Sequence, residues 1–292
     1  MRVVSILFFT WCVMFVLLSG CRPVNDTPST GAELPMDTAT TDSAKRQAAS
    51  ATLLSGKMID LTHPYDETTI YWPTADGFQL RKDAAGFTEK GYYYAANTLT
   101  TAEHGGTHID APIHFFADRN TVDQIPLEQL IAPAVVVDVQ DACEKNRDYE
   151  IGVGDLRAWE EKRGRQLVDV IIFLRTGHAK NWPDREAYLG TTETGEDAVS
   201  ELHFPGLSPS AAKWLVDQRG PLAVGIDTPS IDFGQSTHFQ SHVTLFEHNV
   251  PALENVKLTD ELPARDFTAI ALPMKIGGGS GGPTRVVAIV PE

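Results

Sequence analysis

The residues most suited to chemistry lie close together, in the stretch EHGGTHIDAPIHF at positions 103–115. His104, His108 and Asp110 are spaced i, i+4 and i+6. A helix would place the two histidines on one face but would turn Asp110 away from them. The Gly-Gly pair and the proline in this stretch also disfavour a helix.

An extended chain suits the spacing better, because positions 104, 108, 110 and 114 then share one face. The Gly105-Gly106 pair allows a bend that brings His104 to the same point as His108 and Asp110. Two imidazoles and a carboxylate that converge are typical ligands of a first-row divalent metal. The stretch therefore predicts one part of a metal site, with a loop of solvated histidines as the alternative.

A second group of potential ligands occupies residues 237–256, THFQSHVTLFEHNVPALENV. His238 and His242 are spaced i, i+4, as on a helical turn, and Glu254 follows His242 by twelve positions. Spacing alone leaves these residues equivalent as ligands, together with Glu247 and His248.

Short β-rich runs separate the two groups, and two helices are predicted between them. Continuous apolar runs such as VVVDV and VIIFL are typical of strands buried on both faces. Residues 152–164 predict a helix with Asp155 near its start. Residues 208–220 predict another, with Ser208 as N-cap, Pro209 at the first position and Gly220 as C-cap. The predicted strands are 58–63, 92–100, 134–139, 169–176, 222–227, 267–273 and 284–290. The fold class is α/β, with a β-rich mixed sheet core and flanking helices.

The first 52 residues are expected to lie outside this fold. Residues 1–20 carry one basic residue, an uncharged run from Val3 to Leu18 and then small residues before Cys21, which is typical of an export signal. The Leu-Ser-Gly-Cys sequence resembles a bacterial lipobox, which implies cleavage before Cys21 and its lipidation; a transmembrane helix is the alternative. Residues 21–52 are polar and predict a flexible tether, so the folded domain is expected at 53–292.

Composition excludes some classes of protein. The formal net charge of −15 disfavours nucleic-acid binding. A negative chain also repels anionic lipid, so we expect it to contact the membrane through the lipid anchor only. Of the three cysteines, Cys12 lies in the predicted signal and Cys21 is the predicted lipid site. Cys143 alone remains, and no internal disulfide is expected.

A serine nucleophile is the competing interpretation, since residues 278–282 match G-x-S-x-G. That motif requires a helix after the serine, whereas a strand is predicted at 284–290. No histidine or aspartate follows the serine, so we do not predict a serine hydrolase.

The stretch HGGTHIDAPIHF resembles the HxGTHxDxPxHF signature of the cyclase-like metal-dependent hydrolases, the family of bacterial kynurenine formamidases and isatin hydrolases. Further matches lie at DLTHPYDETTIYWP, FLRTG, FPGLSPSAAKWL, GIDTPSID and LPMKIGGGSGGPTRVVAIV, so the resemblance covers residues 58–290. It implies a single domain of the swivelling β/β/α type.

The resemblance also implies roles for individual residues. His114 would be the general acid/base, and Trp72 would contact the substrate, although Trp72 also suits a buried core position. Asp110 would be able to bridge two ions. The implied metal ligands are His104, His108, Asp110, His242 and Glu254.

The activity implied is hydrolysis of an amide, lactam or ester bond in a small, aromatic or cyclic substrate, with a metal that activates water. Zn²⁺ is expected before Mn²⁺, as one or two ions, and a homodimer or higher homo-oligomer is implied. The chain departs from the formamidases in its export signal and in an extra segment at residues 180–204. The alternative is a non-catalytic lipoprotein that binds a metal or solute.

Three further histidines are not predicted to belong to the site. His63 is expected to be a structural residue, and His178 and His203 are expected to be loop residues.

Overall fold

The structure, a computed structural model, describes residues 55–291. The predicted signal, the lipidation site and the whole of the predicted tether lie outside the described residues. Within residues 55–291, no helix is both long enough and apolar enough to cross a membrane.

Most of the strands form one mixed sheet. In chain order they are β1 (Lys57–Asp60), β2 (Gln79–Phe87), β3 (Tyr93–Thr100), β4 (His108–Asp110), β5 (Ile131–Asp138), β6 (Glu150–Ile151), β7 (Ile171–Arg175), β8 (Gly206–Leu207), β9 (Ala223–Ile226), β10 (Ala252–Glu254), β11 (Phe267–Pro273) and β12 (Gly281–Val290). The main sheet has the order β1-β12-β11-β5-β7-β9-β10-β4. Within the main sheet, β5, β7, β9 and β10 are parallel to their neighbours in this group, and the other pairs are antiparallel.

The sheet closes on itself through β4, which pairs with β10 on one side and with β12 on the other. The closed sheet has an inner face and an outer face, and both are buried. Ile109, Val136 and Phe173 belong to the core enclosed by the sheet, whereas Val135, Val137 and Leu174 pack against the outer helices. The predicted continuous apolar runs are therefore strands buried on both faces, and the mixed, β-rich α/β fold is confirmed.

The helices are short and lie outside the closed sheet. Ser208 caps α5 as predicted, since its hydroxyl accepts a hydrogen bond from the Ala211 N–H at 3.2 Å. The predicted C-cap is wrong by one residue: Arg219 is the cap, and Gly220 follows it with φ +63°. The helices are α1 (Leu127–Leu130), α2 (Gln140–Lys145), α3 (Val153–Arg163), α4 (Arg185–Leu189), α5 (Pro209–Gln218) and α6 (Gln240–Glu247), with 3₁₀ helices at Pro112–His114, Val122–Gln124, His178–Asn181 and Glu196–Glu201.

Residues 180–204 are packed against the rest of the domain and do not form an open loop. Tyr188, Leu189, Leu202 and Phe204 are fully buried and pack together with Ile70. This cluster also contacts the partly buried Trp72. The extra segment therefore supports the part of the chain that carries Trp72.

His178 is buried, which contradicts its prediction as a loop residue. It begins a 3₁₀ helix, and its Nε2 lies 2.6 Å from the carbonyl oxygen of Tyr188. Burial lowers the pKa of His178 to about 4, against the opposing effect of the Tyr188 carbonyl. His203 lies outside the helices and strands, as expected.

The low pKa of His178 predicts a pH-dependent stability. Below pH 6.5 the unfolded chain binds a proton that the folded chain excludes until about pH 4, so the free energy of unfolding falls over this range. From pH 7 to pH 5 we expect this residue to contribute a loss of about 2 kcal/mol. Urea denaturation at both pH values should show a smaller loss in His178→Gln, and an equal loss would contradict the assignment.

Candidate metal centre and active site

Two tyrosines and two glycines shape the stretch that carries the first ligands. Tyr71 pairs with Gly105 in an isolated β-bridge, and a side chain at position 105 would overlap the Tyr71 ring. Gly106 has φ +57°, and the hydroxyl oxygen of Tyr65 lies 2.8 and 2.7 Å from the carbonyl oxygens on either side of it, which share its one hydrogen. Because the chain bends here, His104 lies beside β4, as the Gly-Gly pair predicts.

Asp110 is the centre of the cluster. Its Oδ1 lies 2.6 Å from His104 Nδ1 and 3.1 Å from His108 Nε2. Its Oδ2 lies 3.2 Å from His242 Nε2. His108 and Asp110 project from the same face of β4, since they are two residues apart in a strand.

Glu254 reaches the cluster from the neighbouring strand, because Glu254 in β10 pairs directly with His108 in β4. Its Oε1 lies 3.1 Å from His242 Nε2, and its Oε2 lies 3.5 Å from His108 Nε2. His242 comes from α6, which packs on the outer face of the sheet. The structure thus brings together all five residues predicted as ligands.

The other candidates from the second group lie elsewhere. His238 and His248 are exposed, and His248 Nδ1 contacts the carbonyl of Thr244 in its own helix. Glu247 is also exposed. Among the alternatives that spacing left open, the geometry singles out His242 beside Glu254.

The hydrogen-bond partners of the histidines show that a cation suits this cluster. His108 Nδ1 lies 3.0 Å from the carbonyl oxygen of Gly106, which requires an N–H on that atom. Nε2 of His108 is buried and has no hydrogen-bond partner among the described residues. It faces the oxygens of Asp110 and Glu254, at 3.1 and 3.5 Å, an arrangement that a proton or a metal cation would stabilise.

His242 is held in the same way by Asp232, a residue that the sequence did not single out. Asp232 Oδ2 lies 2.6 Å from His242 Nδ1, so this nitrogen donates and Nε2 is turned toward Asp110 and Glu254. A carboxylate on the far nitrogen is the usual support of a metal-binding histidine. Asp232 belongs to the GIDTPSID match, but only the folded chain brings it to His242.

Burial and neighbouring charges shift the pKa values of the carboxyl and imidazole groups in the cluster. Burial raises the pKa of Glu254, and the charge of Asp110 raises it further. Burial disfavours the charged form of His242, yet hydrogen bonds to Asp110, Asp232 and Glu254 hold its pKa well above the usual value. Protons therefore satisfy the site in the absence of a metal, and a divalent cation can replace them. The described ligand atoms form two groups that share Asp110: His104, His108 and Asp110, and then Asp110, His242 and Glu254.

His114 lies beside this cluster without belonging to either group. It is in a 3₁₀ helix that begins at Pro112, so the prediction that it shares an extended face with His108 and Asp110 is wrong. Its ring stacks on that of His104, with centroids 3.8 Å apart. Burial lowers the pKa of His114 to about 4, although the charge of Asp110 opposes the shift.

A cavity opens onto the cluster and has a largely apolar wall. Trp72 lines it and also packs edge-on against Phe204 and Phe239, and its contact with a substrate stays a prediction. His104, His108, Asp110, His114, His242 and Glu254 form the polar end of the cavity, and Ile70, Tyr71, Phe115, Pro229 and Phe239 contribute to its apolar wall.

The closed mixed sheet and this cluster define the class of a metal-dependent hydrolase. Comparisons with known proteins agree. The Cyclase family model, described as "Putative cyclase", matches residues 59–233. The chain belongs to the Cyclase family.

Relatives and solved structures cover most of the chain. Isatin hydrolase from Roseibium aggregatum is 30% identical over 262 residues, which span 83% of this chain and 95% of the relative. Kynurenine formamidase from Bacillus anthracis is 28% identical, over 80% of this chain and 97% of the relative. The structure of isatin hydrolase A from Ralstonia solanacearum has a TM-score of 0.72 and 29% identity, over 89% of this chain and all of that one. This chain is therefore a metal-dependent amidohydrolase by class.

Removing the shared ligand should abolish metal binding. Asp110 contacts all three predicted histidine ligands and belongs to both groups of ligand atoms. We therefore expect Asp110→Ala to disrupt both groups and to retain less than a tenth of the metal bound by the wild type. Elemental analysis after gel filtration measures this. Asp217→Ala, on the exposed face of α5, should keep the full metal content; a fully loaded Asp110→Ala would show that Asp110 is not a ligand.

Proposed function

We propose that this protein hydrolyses a C–N or ester bond in a small aromatic or cyclic amide, lactam or ester. The observation that carries the proposal is the cavity itself, whose aromatic wall ends at the ligand cluster and His114. A flat ring would lie against Trp72, Phe239 and Phe115, with its carbonyl at the polar end. Similarity to isatin hydrolase and kynurenine formamidase supports this substrate class.

A divalent metal held by these residues would supply a Lewis acid that lowers the pKa of water toward neutrality and polarises the carbonyl. The chain supplies the rest. Asp110 and Glu254 hold negative charge in a buried place, and Asp232 keeps the His242 ring in a fixed orientation. The apolar wall excludes bulk water from the carbonyl, which strengthens electrostatic interactions there.

His114 is proposed as the group that moves the proton. The ring is neutral at pH 7, so a ring nitrogen can accept a proton from the attacking water and return it to the leaving nitrogen or oxygen; burial opposes the charged ring, and the charge of Asp110 favours it. Stacking on His104 places the ring next to the cluster but leaves it outside both groups of ligands.

We propose Zn²⁺ as the first candidate metal and Mn²⁺ as the second. Imidazole suits both zinc and other transition metals, and three histidines with two carboxylates fit either ion. The sharing of Asp110 by two groups of ligands supports a site for two ions.

We also propose that the protein is an exported lipoprotein, anchored through Cys21 on the periplasmic or outer-surface side of the membrane. The support is the sequence of residues 1–21 alone. A substrate met outside the cytoplasm would follow from this location.

A test of function combines metal content with turnover. We expect purified protein loaded with Zn²⁺ or Mn²⁺ to hydrolyse isatin, an N-formyl aromatic amine or an aryl ester in a broad panel. His114→Ala should keep its metal but lose at least 100-fold in kcat, because general acid/base catalysis contributes about 10²–10⁴-fold. A metal-loaded wild type without activity on the panel would favour a binding protein, and normal turnover of His114→Ala would remove His114 from the mechanism.

The chain is further proposed to form a homodimer or higher homo-oligomer, and the β2–β3 hairpin supports this. The hairpin pairs with no other described strand. Leu80 pairs with Leu99 and Phe87 with Tyr93, so these four residues share one face. All four are at least half exposed, with Phe87 at 80%. Two-stranded hairpins are marginal alone, and a second copy would cover this face.

Light scattering should therefore give a molar mass of at least two chains at micromolar concentration. Phe87→Asp should shift the protein to one chain, because a charge on the apolar face opposes burial. Gln79→Asp, on the opposite face of the same strand, should leave the mass unchanged. A wild type of one chain would disprove the proposal.

A further inference from the structure

The Gly-Ser run at residues 277–282 has a structural explanation that its sequence did not suggest. Ser280 is followed at once by β12, which begins at Gly281, so the strand-turn-helix of a nucleophilic serine is absent here. The described residues that line the cavity include His104 but not Ser280. The serine lies behind the His104 ring, away from the space for a substrate.

Three hydrogen bonds connect Ser280 to Glu103 and His104. The Ser280 hydroxyl donates to Glu103 Oε2 at 2.6 Å, and the Ser280 N–H donates to the same oxygen at 3.0 Å. The Ser280 Oγ also lies 2.9 Å from His104 Nε2. Glu103, Ser280 and His104 thus form a chain that ends at Asp110, which is 2.6 Å from His104 Nδ1.

Counting hydrogens along this chain places a hydrogen on Nε2 of His104. A hydroxyl has one hydrogen, and a carboxylate accepts only. Since the Ser280 hydrogen points to Glu103, the contact between Oγ and Nε2 requires an N–H on Nε2. Nδ1 lies 2.6 Å from the Asp110 carboxylate, which also accepts only, so without a metal this contact needs a hydrogen on Nδ1; a bound metal would take the place of that hydrogen.

The glycines on either side of Ser280 make the contacts possible. A Cβ at position 279 would lie 2.8 Å from Glu103 Oε1, and one at position 281 would lie 2.6 Å from both His104 Cε1 and the carbonyl oxygen of Ile109. Side chains at either position would push Glu103 or His104 away. The glycine run therefore gives Glu103 and His104 room on both sides of the serine.

We propose that Ser280 and Glu103 are positioning residues, which hold the His104 ring with Nδ1 directed toward Asp110, where these residues would hold a metal. His108 and His242 have the far ring nitrogen engaged by the Gly106 carbonyl and by Asp232 respectively. Ser280, backed by Glu103, is the corresponding partner of His104. This inference rests on the proposed function in one respect, namely that His104 binds a metal.

Metal affinity in a double-mutant cycle tests the proposal. Competition with a chromogenic chelator, on the purified full chain, measures the Zn²⁺ dissociation constant. Loss of such a supporting partner typically costs 10–100-fold in metal affinity, so we expect Ser280→Ala and Glu103→Ala each to raise the constant at least tenfold. Because Glu103 acts through Ser280, the double variant should lie within about threefold of Ser280→Ala.

Ser208→Ala is the matched control. It also removes a hydrogen-bonded serine hydroxyl, but that hydroxyl caps α5 at the Ala211 N–H and contacts none of the predicted metal ligands. It should lower Tm and leave the dissociation constant unchanged. Unchanged affinity in Ser280→Ala would overturn the proposal. If that variant also lost all turnover, and the wild type formed an adduct with a fluorophosphonate, Ser280 would be a nucleophile.

A second measurement separates this inference from the proposed function. Long-range ¹H–¹⁵N spectra of the metal-free protein should show hydrogen on Nε2 of His104, and Ser280→Ala should shift the ¹⁵N signals of that ring. His104→Gln assigns the signals. A wild type that binds neither Zn²⁺ nor Mn²⁺ would disprove the proposed function. The hydrogen on His104 Nε2 would then still test whether Ser280 and Glu103 are hydrogen-bonded to this ring. An Nε2 without hydrogen would refute the hydrogen-bond chain.

Discussion

The whole site depends on one electrostatic constraint, the convergence of carboxylate oxygens and histidine ring nitrogens at Asp110, where the side chains are largely buried. Asp110 and Glu254 are both buried; Asp110 meets the ring nitrogens of three histidines, and Glu254 meets those of two. Buried charges that lack partners are very costly. Protons or a divalent cation must therefore occupy the centre, and the far nitrogens of the rings are held so that a cation fits.

The closure of the sheet creates this arrangement. β4 has only three residues, yet it pairs on both sides and completes the sheet between β10 and β12. Pairing with β10 sets His108 beside Glu254, and pairing with β12 brings the Gly-Ser run against His104. The strand that closes the sheet is also the strand that carries His108 and Asp110, so the fold and the site depend on the same pairings.

Much of the fold could be predicted because it follows from local pattern. Strands β5 and β7 are buried on both faces, so their residues are apolar without alternation, and the helix at α5 has Ser208 and Pro209 at its start. Prediction failed where pairing across the sequence decides structure. β10 and β4 are too short to carry a pattern, and β2 contains charged residues because its hairpin lies outside the main sheet. His114 was placed on the wrong face, since Pro112 begins a 3₁₀ helix.

The amino-acid sequence by itself determined which chemical groups are available and how the first of them are spaced: His104, His108 and Asp110 around a flexible glycine pair. It also indicated the family through that motif. Only the tertiary structure decided which distant residues join them. His242 was chosen over His238 and His248, and Asp232, Ser280 and Glu103 were found as supports, because strand pairing and the packing of α6 set distances that separation along the chain does not.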